Sequence, residues 1–117
     1  MDEKIIIRKA VAEECFIVGR MWKALMTEAG NYPVEIDDKV IQNFSIQLLT
    51  KILRDDGEVF IAEHDYKIIG FITTQLRVYD YCSVIYGYCE SVYVDSNFRT
   101  FLAGKKLIDT ASEWMKE

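Results

Sequence analysis

A chain of 117 residues with a net charge of −5, half of it apolar and 13% aromatic, makes one domain with enough apolar side chains for a packed core, which argues against disorder. The acidic balance argues against nucleic acid as a partner. No apolar run approaches the roughly 18 residues that span a bilayer, and "MDEKIIIRK" lacks the form of a signal peptide. Cys15, Cys82 and Cys89 show no CxxC spacing, and His64 is the single histidine. Reduced thiols, a cytoplasmic location and no metal site are therefore expected.

In chain order, "KIIIRKA" is a β-branched run that predicts a strand. From about Ala12 to Ala29, Phe16, Val18, Trp22, Leu25, Met26 and Ala29 recur at mostly helical spacing, and Gly30 with Asn31 forms a natural stop. "NYPVEIDD" is a loop that holds the single proline, Pro33. Asp37 or Asp38 can cap a second helix with the stripe Ile41, Phe44, Leu48 and Ile52, which "RDDGE" ends. The period then changes: "EVFIAE", the turn "HDYK" and "IIGFITTQLRVY" predict a β-hairpin, and the turn "DYCS" leads into the β-rich "VIYGYCESVYVD". From Leu102 onward, Leu107, Ile108, Ala111, Trp114 and Met115 mark one face of an amphipathic helix.

The order strand, helix, helix, strand, strand, strand, helix predicts an α+β fold, a mainly antiparallel sheet flanked by helices, in a single domain over residues 1–117. Two features predict incompleteness. The last helix stops at "EWMKE" with its stripe still running, and the apolar last strand has no later strand to cover its outer edge. Either the chain is cut short or another chain completes it, with a homodimer through the open strand edge as one arrangement.

The segment "VDSNFRTFLAGKKLI" carries the chemistry. A strand runs into a helix start, where unpaired N–H groups and the positive end of the helix dipole hold phosphate. Those amides come from about Phe101 to Lys105; Ala103 and Gly104 leave the approach open, and Arg99 and Lys105 add positive charge. On its own this pattern is common. In its context, "ESVYVDSNFRTFLAGKKLIDTA" resembles the diagnostic segment of the GNAT superfamily of N-acetyltransferases: an apolar–aromatic–Val strand end, a short turn, then Arg-x-x-Gly-x-Gly opening a helix. The element order before it fits too, through "IRKA" and "IIGF". Leu102 stands where the first glycine of that pattern belongs, at a cost of about 1–2 kcal/mol if the position requires positive φ. Members of the superfamily also continue past this helix with further strands and a helix.

The resemblance implies acetyl transfer from acetyl-coenzyme A to an amine on a small molecule or peptide. Amides of Leu102, Ala103, Gly104 and Lys105, with Arg99, would hold the pyrophosphate. Backbone groups of Val92 and Val94 would pair with the pantetheine and polarise the thioester carbonyl. An alkyl amine of pKa near 10.4 is neutral in about one part in two thousand at pH 7, a handicap of roughly 4.6 kcal/mol, so the reaction needs a base. Glu90 is the candidate, since strict alternation puts it on the face of Val92 and Val94. Tyr86 and Tyr88 share that face and could shape the acceptor pocket, as could Tyr32 in the loop between the helices. The alternative is a non-catalytic binding or dimerisation module of the same fold that keeps part of the coenzyme A cradle.

Overall fold

A computed structural model of the protein describes residues 5–30, 37–54, 57–78, 85–101 and 103–115. The amino-terminal β-branched run forms β1 (Ile6–Lys9), which pairs antiparallel with β2 (Val59–His64). β3 (Lys67–Val78) and β4 (Ile85–Val94) follow, giving a four-stranded antiparallel sheet in the order β1-β2-β3-β4. The hairpin turn is tighter than "HDYK" promised. Asp65 and Tyr66 alone make it, with φ of 49° and 64°, as the mirror-image turns that match strand twist require.

Helix ends form where local chemistry puts them. A 3₁₀ turn, Ala12–Glu14, leads into α1 (Cys15–Ala29). Gly30 stops it at φ 71°, with its N–H donating to the Met26 carbonyl at 3.1 Å. Asp37 caps α2 (Asp38–Arg54), its Oδ1 accepting from the Val40 N–H at 3.0 Å. A second 3₁₀ helix, Ser96–Phe101, precedes α3 (Ala103–Met115). None of the described helices is long and apolar enough to cross a membrane.

The helices take opposite faces of the sheet. Val18, Trp22 and Leu48 from α1 and α2 pack on Val59, Ile61 and Phe71. Trp22 and Phe44 stack with ring centroids 4.3 Å apart. A side chain at Gly19 would overlap the Ser45 hydroxyl, so these two helices approach closely there. On the other face Ala103, Leu107 and Ala111 of α3 are fully buried against Phe60, Ala62, Ile72 and Val94, with Trp114 edge-on to Phe60. Ile108, expected on the buried stripe, is exposed, because the spacing of four from Ala103 to Ala111 narrows the contact.

The β1 edge is tied by ion pairs. Arg8 donates to both carboxylate oxygens of Glu14, at 2.8 and 2.7 Å, and through Nε to Glu63 at 3.0 Å. Glu14 also accepts the Val11 N–H at 2.9 Å. Hydrogen bonding from Arg8 holds the Glu14 carboxyl below its ordinary value, and the same contact raises that of Arg8.

Candidate active site

β4 pairs with β3 in two registers. Thr73 lies opposite Ser91 but Thr74 lies opposite Cys89, so Glu90 occupies the shift with no Cα partner. Thr74 is fixed there from its other side: its N–H donates to the Glu58 carbonyl at 2.9 Å, and its buried hydroxyl accepts the Glu58 N–H at 2.8 Å. The shift corrects the alternation expected for this strand. Val92 and Val94 pair with Ile72 and Gly70 in one row, whereas Tyr88 and Tyr86 pair with Gln75 and Arg77 in the row of Thr73 and Ser91. The two tyrosine positions therefore lie opposite to the Val92 and Val94 set rather than within it, and Glu90 sits where the rows change over.

The far end of β4 presents backbone to its outer edge. Asp95 N–H donates to the Ile69 carbonyl at 2.7 Å, so the odd-numbered residues here turn their backbone groups toward β3. By alternation, those of Val92 and Val94 face outward. Val94 is 8% exposed beneath α3, while Val92 is 39% exposed. The chain then turns on Asp95, whose Oδ1 accepts the Asn97 N–H at 2.9 Å and whose carbonyl accepts that of Phe98 at 2.8 Å. Arg99 lies in the resulting 3₁₀ helix.

At the start of α3, Ala103 is anchored in the core, which fixes the first-turn amides beside Val94. Among the described residues, a Cβ added at Gly104 would meet Val94 Cγ2 at 3.8 Å, an ordinary contact. Lys105 instead reaches along its helix to Asp109 at 2.8 Å, both side chains exposed. Such a pair is worth at most about 1 kcal/mol and exchanges readily for a stronger anion. Leu102 and Tyr32 lie outside the described residues.

On the face covered by α2, a cavity of about 290 Å³ runs between Leu48, Lys51 and Arg54 of the helix and Thr73, Gln75 and Ser91 of the sheet. It reaches β4 at the residue next to Glu90. Cys89 is exposed near this point, but desolvation pushes its thiol up, away from the thiolate that a nucleophile needs. Cys15 is a second free thiol, fully buried in the core.

Residues 19–117 match the model of the acetyltransferase (GNAT) family. The chain belongs to that family. Solved structures of acetyltransferases share the fold. A predicted acetyltransferase from Clostridium acetobutylicum, crystallised with acetyl-CoA, superposes with a TM-score of 0.82 at 15% identity, over 97% of this chain and 74% of its own. A GNAT family acetyltransferase of Staphylococcus aureus gives 0.69 at 21%, over 96% and 78%. An aminoglycoside acetyltransferase from an uncultured soil sample, in complex with sisomicin, gives 0.69 at 21%, over 96% and 70%. No curated protein matches the chain.

Within this GNAT domain, the β4 to α3 junction foreseen in the sequence is the place where outward backbone and helix-start amides meet. The cavity lined by Lys51 and Arg54 was not foreseen, although both residues continue the stripe of Phe44 and Leu48 at spacings of three, which would have marked them.

Proposed function

We propose that this protein transfers an acetyl group from acetyl-coenzyme A to a primary amine by direct attack. The observation that carries the proposal is the juxtaposition, inside a GNAT domain, of the outward backbone of Val92 and Val94 with the first turn of α3. The chain's own groups suit an anionic, extended donor: amides at a helix start for the pyrophosphate, and a strand edge for the amide-bearing arm.

Acetyl-coenzyme A supplies an activated acyl group and a thiolate leaving group. First-turn amides of Ala103, Gly104 and Lys105, with Leu102 and Arg99, hold the phosphates. An N–H of Val92 or Val94 donates to the carbonyl oxygen as negative charge gathers there. Glu90 takes the proton from the acceptor ammonium, directly or through water, so that the nitrogen lone pair is free to attack. Its position at the register shift, between the row of Val92 and Val94 and the row that lines the α2 cavity, supports this role. Tyr32, Tyr86 and Tyr88 are proposed to wall the acceptor.

Calorimetric titration with acetyl-coenzyme A, followed by a thiol-release assay over a panel of amines, tests the proposal. Binding with turnover is expected. Binding without turnover of any amine would leave the non-catalytic module, and no binding would remove the coenzyme A reading altogether.

A further inference from the structure

Thr74 sits where two ladders meet. On the β4 side the register changes at it, since Thr73 lies opposite Ser91 and Thr74 opposite Cys89, with Glu90 left over. On the β2 side it makes an uncommon exchange with Glu58, the residue that leads into β2. A hydrogen-bonded pair of facing residues in an antiparallel ladder ordinarily trades two main-chain bonds, each N–H to the other's carbonyl. Thr74 keeps the first, its N–H donating to the Glu58 carbonyl at 2.9 Å. In the second, the Glu58 N–H donates to the Thr74 hydroxyl, at 2.8 Å, in place of the Thr74 carbonyl. The hydroxyl donates in turn to the Glu58 carbonyl at 3.0 Å. A fully buried side chain has taken over from its own main chain.

The displaced carbonyl is given room. It lies against Gly57, where an added Cβ would overlap the Thr74 oxygen. It also belongs to a rigid unit, because the Thr74 carbonyl and the Gln75 N–H share one planar peptide. Alternation faces the main-chain groups of Thr74 to β2 and those of Gln75 to β4. Turning the carbonyl off Glu58 therefore re-aims the Gln75 N–H, on the edge of β3 along which β4 finds its register.

We infer that the Thr74 hydroxyl is a positioning group for β4. By standing in for its own carbonyl on Glu58 it holds the one-residue shift, and so selects which residues of β4 join the row along the α2 cavity. Thr73, Gln75 and Ser91 of that row line the cavity. With the shift, Tyr88 pairs with Gln75 and Tyr86 with Arg77. Without it, Thr74 would pair with Glu90 and Gln75 with Cys89, and the span from Ile85 to Cys89 would turn over. The carboxyl end of β4 is held independently, Val94 in the core with α3 and Asp95 on the Ile69 carbonyl. Thr74 therefore acts on the acceptor side of the site. The kinetic part of this inference rests on the acetyl-transfer reading above; the register part does not.

The test compares Thr74→Val, which removes the hydroxyl and keeps the shape, with Thr74→Ser, which keeps the hydroxyl. Nuclear Overhauser contacts between backbone protons of β3 and β4 read the register. Those between Thr74 and Cys89 should be kept in Thr74→Ser and give way in Thr74→Val to contacts between residues 74 and 90. At saturating acetyl-coenzyme A, Thr74→Val should lower kcat/KM for the acceptor amine about a hundredfold, as a misplacement of about 1 Å does. Its affinity for acetyl-coenzyme A should not change, and Thr74→Ser should match the wild type in both. A merely structural threonine would lower the unfolding midpoint and move neither register nor kcat/KM. Wild-type pairing in Thr74→Val, the same slip in Thr74→Ser, a moved register with unchanged kcat/KM, or weakened acetyl-coenzyme A binding would overturn the inference.

Should Thr74→Val fail to fold, Gly57→Ala takes its place. Its methyl meets the Thr74 carbonyl from the other side, and the Lys51 stem that it also meets is a flexible chain. It should move the register in the same sense, and wild-type pairing in it would overturn the inference. If the wild-type protein binds no acetyl-coenzyme A, the acetyl-transfer reading falls, and the Overhauser contacts alone decide whether Thr74 holds the shift.

Discussion

The two edges of the sheet are built for different ends. β1 is four residues long, and the side chain of Arg8 ties it to β2 and to the 3₁₀ turn through Glu63 and Glu14. β4 is ten residues long, slips register at Glu90, and turns the backbone of Val92 and Val94 outward. At β1, charged groups are consumed in holding the fold together. At β4, the backbone of Val92 and Val94 faces the outer edge, above the core that Val94 shares with α3. The ion pairs that hold β1 and the proposed chemistry thus lie a sheet's width apart.

The largest effect should come where the two edges share support. α3 lies across all four strands, and Leu107 is fully buried in its centre. Leu107→Ala should cost about 2–5 kcal/mol by urea denaturation and weaken acetyl-coenzyme A binding as well. Loss of one without the other would show that the edges are not coupled through α3.

Glu90→Gln is the converse probe. It should lower kcat about a hundredfold or more with an unchanged unfolding midpoint, and the alkaline shift of the residual rate would mark the missing base. A variant with full activity at pH 7 would remove Glu90 from the mechanism.

Glu14→Gln should act on stability alone. Because Arg8 lowers the folded-state value of Glu14, the stabilisation is present above the unfolded carboxyl value of about 4.3 and is lost as pH falls through the lower folded value. The variant should be about 1.5–3 kcal/mol less stable at pH 7, and the gap should close as pH falls below the lowered folded-state value of Glu14. Acetyl-coenzyme A affinity at pH 7 should not change; a change would break the contrast between the edges.

The smallest effect belongs to neither edge. Tyr66 is 97% exposed at φ 64°, where a bulky side chain is strained. Tyr66→Gly should raise stability by up to about 1 kcal/mol and leave catalysis untouched, giving the baseline against which the others are read.

The element order could be read from the chain because period changes are written into it. The stripe of α2 with its Asp37 cap, Gly30 and the β2–β3 hairpin all use local chemistry that tertiary contacts did not override. The register of β4 could not be read. From Ile85 to Val94 apolar and aromatic residues occupy both parities, so no polar alternation reveals a one-residue slip. The slip falls where Glu58, outside the strand, holds Thr74. Similarly, Arg8 lies 55 residues from Glu63, a contact that only the β1–β2 pairing creates. The charge of Lys51 and Arg54 was plain in the sequence, but the side of α2 they occupy depends on where the sheet lies.

The unpartnered residue of β4 has a genetic consequence. Deleting another codon of the β4 ladder removes one side chain and throws the rest out of step with β3. Deleting the codon for Glu90 would let Cys89 and Ser91 become neighbours in an unbroken β3–β4 ladder. Such a lineage would keep its fold and lose the irregularity at which the proposed base stands, so if Glu90 acts as proposed, selection at that codon acts on spacing as well as on the side chain.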